Sequence, residues 1–168
     1  MPLIDRQIAH RCQSQQMVVP FDYELLNPAS IDVLVGNTAV IETSHGWRNV
    51  DLSPYTKEDP FRVGRKEFIL VATRETFNIP VDICGEFRLK SSRAREGWNQ
   101  HLAVWLDNGW HGSKLTLELV NNLCYSSLPL WPGLKIGQII FHSTEVPNRH
   151  YGETGRYNND QTVALSKG

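Results

Sequence analysis

LDNGWHGSKLTLELVNN, residues 106–122, joins a turn signal to the alternation of a strand. Its second half alternates apolar and other side chains, with Leu115, Leu117 and Leu119 on one side and Thr116, Glu118 and Val120 on the other, the period of a strand. Its first half carries Asn108-Gly109, the strongest short turn signal, between an apolar run ending at Leu106 and another starting at Leu115. The expectation is that these two runs pair as a hairpin, with Trp110 in or beside its loop. A glutamate at position 118 is ordinarily an exposed residue on a solvated sheet face. In a half-buried pocket, loss of water would instead raise its pKa toward that of a working acid or base.

Outward from this stretch the same period recurs. SIDVLVG (30–36) sets Ile31, Val33 and Val35 on one face, and EFILVAT (67–73) does the same with Phe68, Leu70 and Ala72. FNIPVDICGEFRL, QHLAVWL and KIGQIIF continue the series, punctuated by Pro54, Pro60, Pro80, Gly85, Gly109 and the Pro132-Gly133 pair. Many short strands with frequent turns predict an all-β sandwich or barrel. Two short helical segments interrupt the strands. Ile4 and Ile8 mark one over about residues 4–12. LKSSRAREGW marks a single turn, with serines at its start and Gly97 at its end as cap residues. Free N–H groups there, with Lys90, Arg93 and Arg95, would suit phosphate, although a charged surface turn is the ordinary reading.

At 168 residues the chain suits one domain with a proper core. With 17 basic against 18 acidic residues and no Lys or Arg run, it carries no electrostatic footprint for duplex nucleic acid or an anionic membrane. Cys12, Cys84 and Cys124 are odd in number and far apart, which fits reduced thiols serving as small core residues. No signal-peptide core or bilayer-length apolar run is present, so a soluble cytoplasmic protein is expected. The six histidines are scattered, and neither H-x-E…P-C-x-x-C nor H-E-x-x-H occurs, so catalytic zinc is not expected. Neither G-x-S-x-G nor a Walker loop is present, which removes support for esterase and kinase chemistry. His101 and His111 flank the loop and could approach each other across it, with no third ligand evident.

Read in order, NPASIDVLVGN, KSSRAREGW, LDNGWHGSKLTLELVNN, LPLWPGLKIGQIIFH and YGETGRYNNDQ resemble the dCTP deaminases of the dUTPase superfamily, from about residue 1 to 166. The resemblance implies a distorted jelly-roll or β-barrel of the dUTPase-like type with short helices, assembled as a homotrimer with active sites at subunit interfaces. It implies one domain over residues 1–168, with 150–168 closing over the site. The substrate would be deoxycytidine triphosphate, or a modified form of it, with Mg²⁺ bound through the triphosphate and no zinc. The implied reaction is hydrolytic deamination of dCTP to dUTP and ammonia. A bifunctional deaminase that also hydrolyses the triphosphate, a dUTPase releasing pyrophosphate, and a catalytically silent nucleotide-binding regulator are the alternatives.

By the same resemblance, Glu118 is the catalytic carboxylate, while Ser91 and Arg95 position the attacking water. Lys90, where the family more often has arginine, and Ser92 hold phosphate. Asp107 is the loop aspartate that in dUTPases orients a water toward phosphorus, and Trp110 packs near the deoxyribose. Backbone around Ala103 and Val104 would meet the pyrimidine edge. Gln138, Tyr151, Arg156, Tyr157 and Gln161 match positions for the phosphates and the closing C-terminal segment.

Overall fold

The computed structural model of the chain describes residues 1–101, 103 and 105–168. After helix α1 (Asp5–Gln15), the chain makes strands β1 (Val18–Val19), β2 (Leu26–Asn27), β3 (Ser30–Thr43), β4 (Gly46–Asp51), β5 (Phe61–Val63), β6 (Phe68–Asn78) and β7 (Ile83–Leu89). Helix α2 (Ser91–Glu96) follows, then β8 (Trp98–Gln100), β9 (Trp105–Leu106), β10 (His111–Asn121), β11 (Leu128–Leu130), β12 (Lys135–Ser143) and helix α3 (Tyr151–Thr154). The main sheet runs β8-β10-β6-β3-β12-β7-β9, with β1 added on β6 and β2 and β4 on β3, while β11 pairs with β5. Among the described residues no helix is long and apolar enough to cross a membrane.

The sheet curls because β3 serves two halves of it. Residues 31–34 of β3 pair with β12, and from Val35 onward the strand pairs with β6 and then β4. A register shift between Val35 and Ala39 marks the corner, as bulges do where a strand changes partners. Gly36 sits there because a Cβ would come within 2.7 Å of the Thr73 carbonyl oxygen. Where β3 leaves β12, the Leu34 N–H finds the carboxylate of Glu75 at 2.9 Å instead of a ladder partner. Glu75 is itself fully buried, and burial raises its pKa against the pull of Leu34 N–H and Arg74.

The core is one contiguous cluster drawn from both halves, including Val33, Val71, Phe77, Phe87, Leu117, Leu119 and Phe141. Helix α1 contributes Ile8, Ala9 and Cys12 from the face on which Ile8 lies. Asp32 and Leu34 are buried along with Ile31, Val33 and Val35, since the first half of β3 is covered on both faces. One strand expectation needs correction. The runs on either side of Asn108-Gly109 do not pair with each other. β9 pairs with β7, and β10 pairs with β6 and β8. The turn itself forms, with Trp110 N–H donating to the Asp107 carbonyl at 3.1 Å, but it carries the chain between the two halves of the sheet. Cys12 and Cys84 are buried as small core residues, whereas Cys124 is exposed; all three are free thiols.

Candidate active site

β6, β10, residues Ala103, Trp105 and Asp107 and the C-terminal segment enclose a cavity of about 620 Å³, and Glu118 stands on its wall. Leu117 and Leu119 point into the core, so alternation sends Glu118 to the cavity side, as the sequence pattern requires. Directly across the ladder is Leu70, and Phe68 lies opposite Val120. Trp47 from β4 and His101 pack edge-on against Phe68, with ring centroids 6.2 and 5.4 Å away. Within this apolar wall Glu118 Oε2 is buried without a hydrogen-bond partner among the described residues. Burial accordingly raises the carboxyl pKa, against a smaller lowering by a backbone hydrogen bond.

Lys114, Leu115 and Thr116 all line the cavity, although successive strand residues should alternate. The cause is an irregularity in the ladder: Lys114 faces Thr76 while Thr116 faces Ala72, so residues 73–75 of β6 lie opposite Leu115 alone. Leu115 N–H then donates to Thr73 Oγ1 at 3.0 Å instead of to the ladder. Leu115 therefore joins the cavity wall while still packing against the core.

Asp107 is exposed to the cavity at its mouth. Trp110 is only 7% exposed and stacks on Phe77 at 5.9 Å, so it is a core side chain with one edge in the cavity, not a free loop aromatic. Its Nε1–H donates to the Tyr157 carbonyl at 2.8 Å, tying the turn to the C-terminal segment. That segment folds over the opening. Tyr151 and Tyr157 line it, Tyr151 N–H donates to the Asn108 carbonyl at 2.8 Å, and Ala164 N–H donates to Thr116 Oγ1 at 3.0 Å. Lys167 closes the segment on itself, 2.7 Å from Asp160 and 4.9 Å from the Tyr157 ring centre. Arg156 is exposed and offers its carbonyl to Lys167, while the exposed Gln161 donates to the Gly112 carbonyl.

The other expected residues lie elsewhere on the chain. Ser91, Ser92 and Arg95 are exposed on α2 and do not line the cavity. The helix begins one residue earlier than the serine reading supposed: Lys90 is its N-cap with no side-chain cap bond, and the serines occupy the first helical positions. Gly97 ends the helix in the left-handed conformation at φ 110°, as its position suggested. Arg93 and Glu96 pair at 2.8 Å along the helix. Lys90 Nζ lies 2.7 Å from Asp32, and Gln138 accepts from Ser30 at 2.9 Å, on the β3–β12 face. Ala103 lines the cavity, and Val104 lies outside the described residues. His101 packs on Phe68 while His111 contacts the Gly109 carbonyl, and among the described residues no group of three or more His, Cys, Asp or Glu side chains is placed to hold a metal ion.

Sequence reasoning missed Trp47, Lys114 and Asp160 as cavity residues. Trp47 and Asp160 lie far along the chain from Glu118 and carry no local signal. Lys114 shares the parity of Thr116 and Glu118, so plain alternation already places it on the cavity side.

The curled antiparallel half-barrel is the fold of solved dUTPase-like proteins. A solved dUTPase from phage phi11 of S. aureus has this fold at TM-score 0.52 and 13% identity, over 73% of this chain and 81% of that one. A solved 2'-deoxycytidine 5'-triphosphate deaminase from Agrobacterium tumefaciens superposes at TM-score 0.70 and 18% identity, over 84% of this chain but 48% of that one. The chain belongs to the dCTP deaminase-like family, whose model matches residues 3–144. It is 34% identical to a "dCTP deaminase, dUMP-forming" of Mycobacterium marinum, over 92% of this chain and 87% of the relative. It is 33% identical to one from Methanopyrus kandleri, over 98% and 94% respectively.

Proposed function

We propose that this enzyme deaminates dCTP hydrolytically and then releases pyrophosphate, so that dUMP is the final product. The observation that carries the reading is that Glu118 and Asp107, carboxylates suited to the two steps, line one cavity. The relatives named as dUMP-forming support the second step, and move the expected product from dUTP to dUMP.

In the first step Glu118 takes a proton from a water, and the hydroxide attacks C4 of cytosine. Glu118 then delivers protons to N3 and to the leaving amine, giving dUTP and ammonia from dCTP and one water. A carboxyl with a raised pKa suits this exchange, since it must both accept and donate near neutrality. In the second step Asp107 orients another water for attack on the α-phosphorus, and pyrophosphate leaves. Mg²⁺ enters as part of the nucleotide substrate. Backbone at Ala103 meets the base, while Trp110, Tyr151 and Tyr157 pack around the sugar and the closing segment.

Among the described residues, the cavity wall supplied by one chain contains Asp107, Glu118 and Asp160 but a single cation, Lys114. A triphosphate needs the opposite balance. Lys90, Ser91, Ser92 and Arg95 provide it from an exposed turn that does not reach the cavity of its own chain, which supports a site completed by a neighbouring copy in a homotrimer. Gln138, Arg156 and Gln161 complete the phosphate contacts. Ser91 and Arg95 hold the water for Glu118 across that interface.

Product identification after incubation with dCTP tests the reading: ammonia, pyrophosphate and dUMP are expected in equal amounts. Accumulating dUTP without pyrophosphate would reduce it to a deaminase, and tight dCTP binding without product would favour a nucleotide-binding regulator. Mixing inactive Glu118→Gln and Arg95→Ala proteins after subunit exchange should restore part of the activity, which shared sites allow and self-contained sites do not.

A further inference from the structure

We propose that Lys135, to which no role has been given above, is a second cation for the phosphates of the nucleotide, presented together with Lys90 by the buried Asp32. The inference rests on the proposed function and adds to it a specific contact for the charged end of the substrate.

The arrangement begins with a bulge. In β12, Lys135 faces Leu34, Gly137 faces Val33 and Gln138 faces Asp32, so Ile136 is left over in the ladder. Residues three apart on a regular strand would point to opposite faces. The extra residue cancels that alternation, and Lys135 and Gln138 both reach the face that carries Asp32. Lys90 arrives at the same place from the end of β7, its own N–H held by the Ile136 carbonyl at 3.1 Å.

Asp32 is 4% exposed and sits between the two ammonium groups, with Lys90 Nζ 2.7 Å from one oxygen and Lys135 Nζ 3.6 Å from the other. Asn27 Nδ2 donates to the first oxygen at 2.8 Å. One carboxylate against two ammonium groups leaves the cluster a net positive charge, fixed at a defined place and not spread over mobile surface side chains. Lys135 keeps 49% of its side chain exposed, against 27% for Lys90. Donors on Lys135 therefore remain free for an outside anion, because an ammonium carries three protons and the 3.6 Å contact is loose. Gln138 is aimed in the same way: the buried Ser30 hydroxyl donates to its Oε1 at 2.9 Å, which turns its amide N–H groups away from that contact. Two ammonium groups and an oriented amide on one face next to the Ser91-Ser92 turn match the terminal phosphates of a nucleoside triphosphate. They have nothing to offer a nucleoside monophosphate whose single phosphate stays near the sugar.

The test is equilibrium binding by calorimetry of dCTP and dCMP to protein with Lys135 retained or changed (Lys135→Met, Lys135→Arg), each in a Glu118→Gln background so that dCTP is not consumed, with melting curves for each. Methionine keeps most of the stem and removes the charge. The expected result is about a tenfold weaker Kd for dCTP in Lys135→Met, near-unchanged affinity in Lys135→Arg, and dCMP affinity unchanged in both. The salt dependence of dCTP binding should also become shallower in Lys135→Met, as one phosphate contact is lost. Unchanged dCTP affinity in a folded Lys135→Met overturns the proposal, as does an equal loss for dCTP and dCMP. Protein with Lys135 retained that binds neither nucleotide would instead refute the functional reading on which the proposal stands. If Lys135→Met fails to fold, Lys135→Gln with the same readouts decides between these outcomes.

Discussion

Glu118→Gln is the most informative single change, because it keeps the shape of a side chain whose Oε2 is buried without a partner among the described residues while removing its ability to titrate. General acid–base assistance is worth about 10²–10⁴ in rate. Glu118 handles the proton of the water, of N3 and of the leaving amine, so the upper part of that range applies, or ~4–5 kcal/mol of barrier at 1.36 kcal/mol per factor of ten. Ammonia release from dCTP, followed in a coupled assay, should therefore fall by three or four powers of ten at about the same dCTP affinity. The sign of the pH effect follows from burial. Because the folded-state pKa of Glu118 is raised, its contribution to stability is fully present below the unfolded-state value and is lost as pH rises through the folded one. Wild type thus carries a buried, unpaired charge above that pH and the variant does not. Glu118→Gln should melt higher than wild type at pH 8, with the gap narrowing toward pH 5. The acid limb of kcat/KM in wild type should likewise lie above the ordinary carboxylate range. Near-normal ammonia release from a folded Glu118→Gln protein would refute this role, and a variant less stable than wild type at every pH would refute the account of its burial.

Asp107→Asn should leave ammonia release near wild type and cut pyrophosphate release by about 10²-fold or more, so that dUTP accumulates; nucleotide chromatography of the products checks this. Trp110→Phe keeps the stack on Phe77 but removes the 2.8 Å bond to the Tyr157 carbonyl. That loss is worth about 1 kcal/mol, so cleavage of the C-terminal segment in limited proteolysis should accelerate several-fold. Gly97→Ala places a Cβ within 2.6 Å of the Leu123 side chain at a φ of 110°. It should cost about 1–3 kcal/mol, read as a lower Tm in calorimetry.

Much of the site could be read from the chain. Period-two alternation placed Glu118 away from Leu117 and Leu119, and those leucines are in the core while Glu118 stands on the cavity wall. Asn108-Gly109 announced a turn and Gly97 a helix end, and both are there, because each depends on a few neighbouring residues and on backbone conformations that favour those residue types. The partners of the strands were not legible. The runs around Asn108-Gly109 look like a hairpin, yet β10 takes its neighbours from residues 68–78 and 98–100, a choice made by burial of whole faces and not by the turn between two runs.

The local conformation of each segment, and the side of its strand on which each residue lies, follow from alternation and from residue-specific backbone preferences. What those sides meet depends on long-range packing. Long-range register set Leu70 opposite Glu118, a two-residue excess in β6 turned Leu115 into the cavity, and one extra residue in β12 brought Lys135 to the face of Asp32. Such events depend on how an entire sheet closes around its core, and a bulge or a change of strand partner leaves no periodic trace in the residues that undergo it.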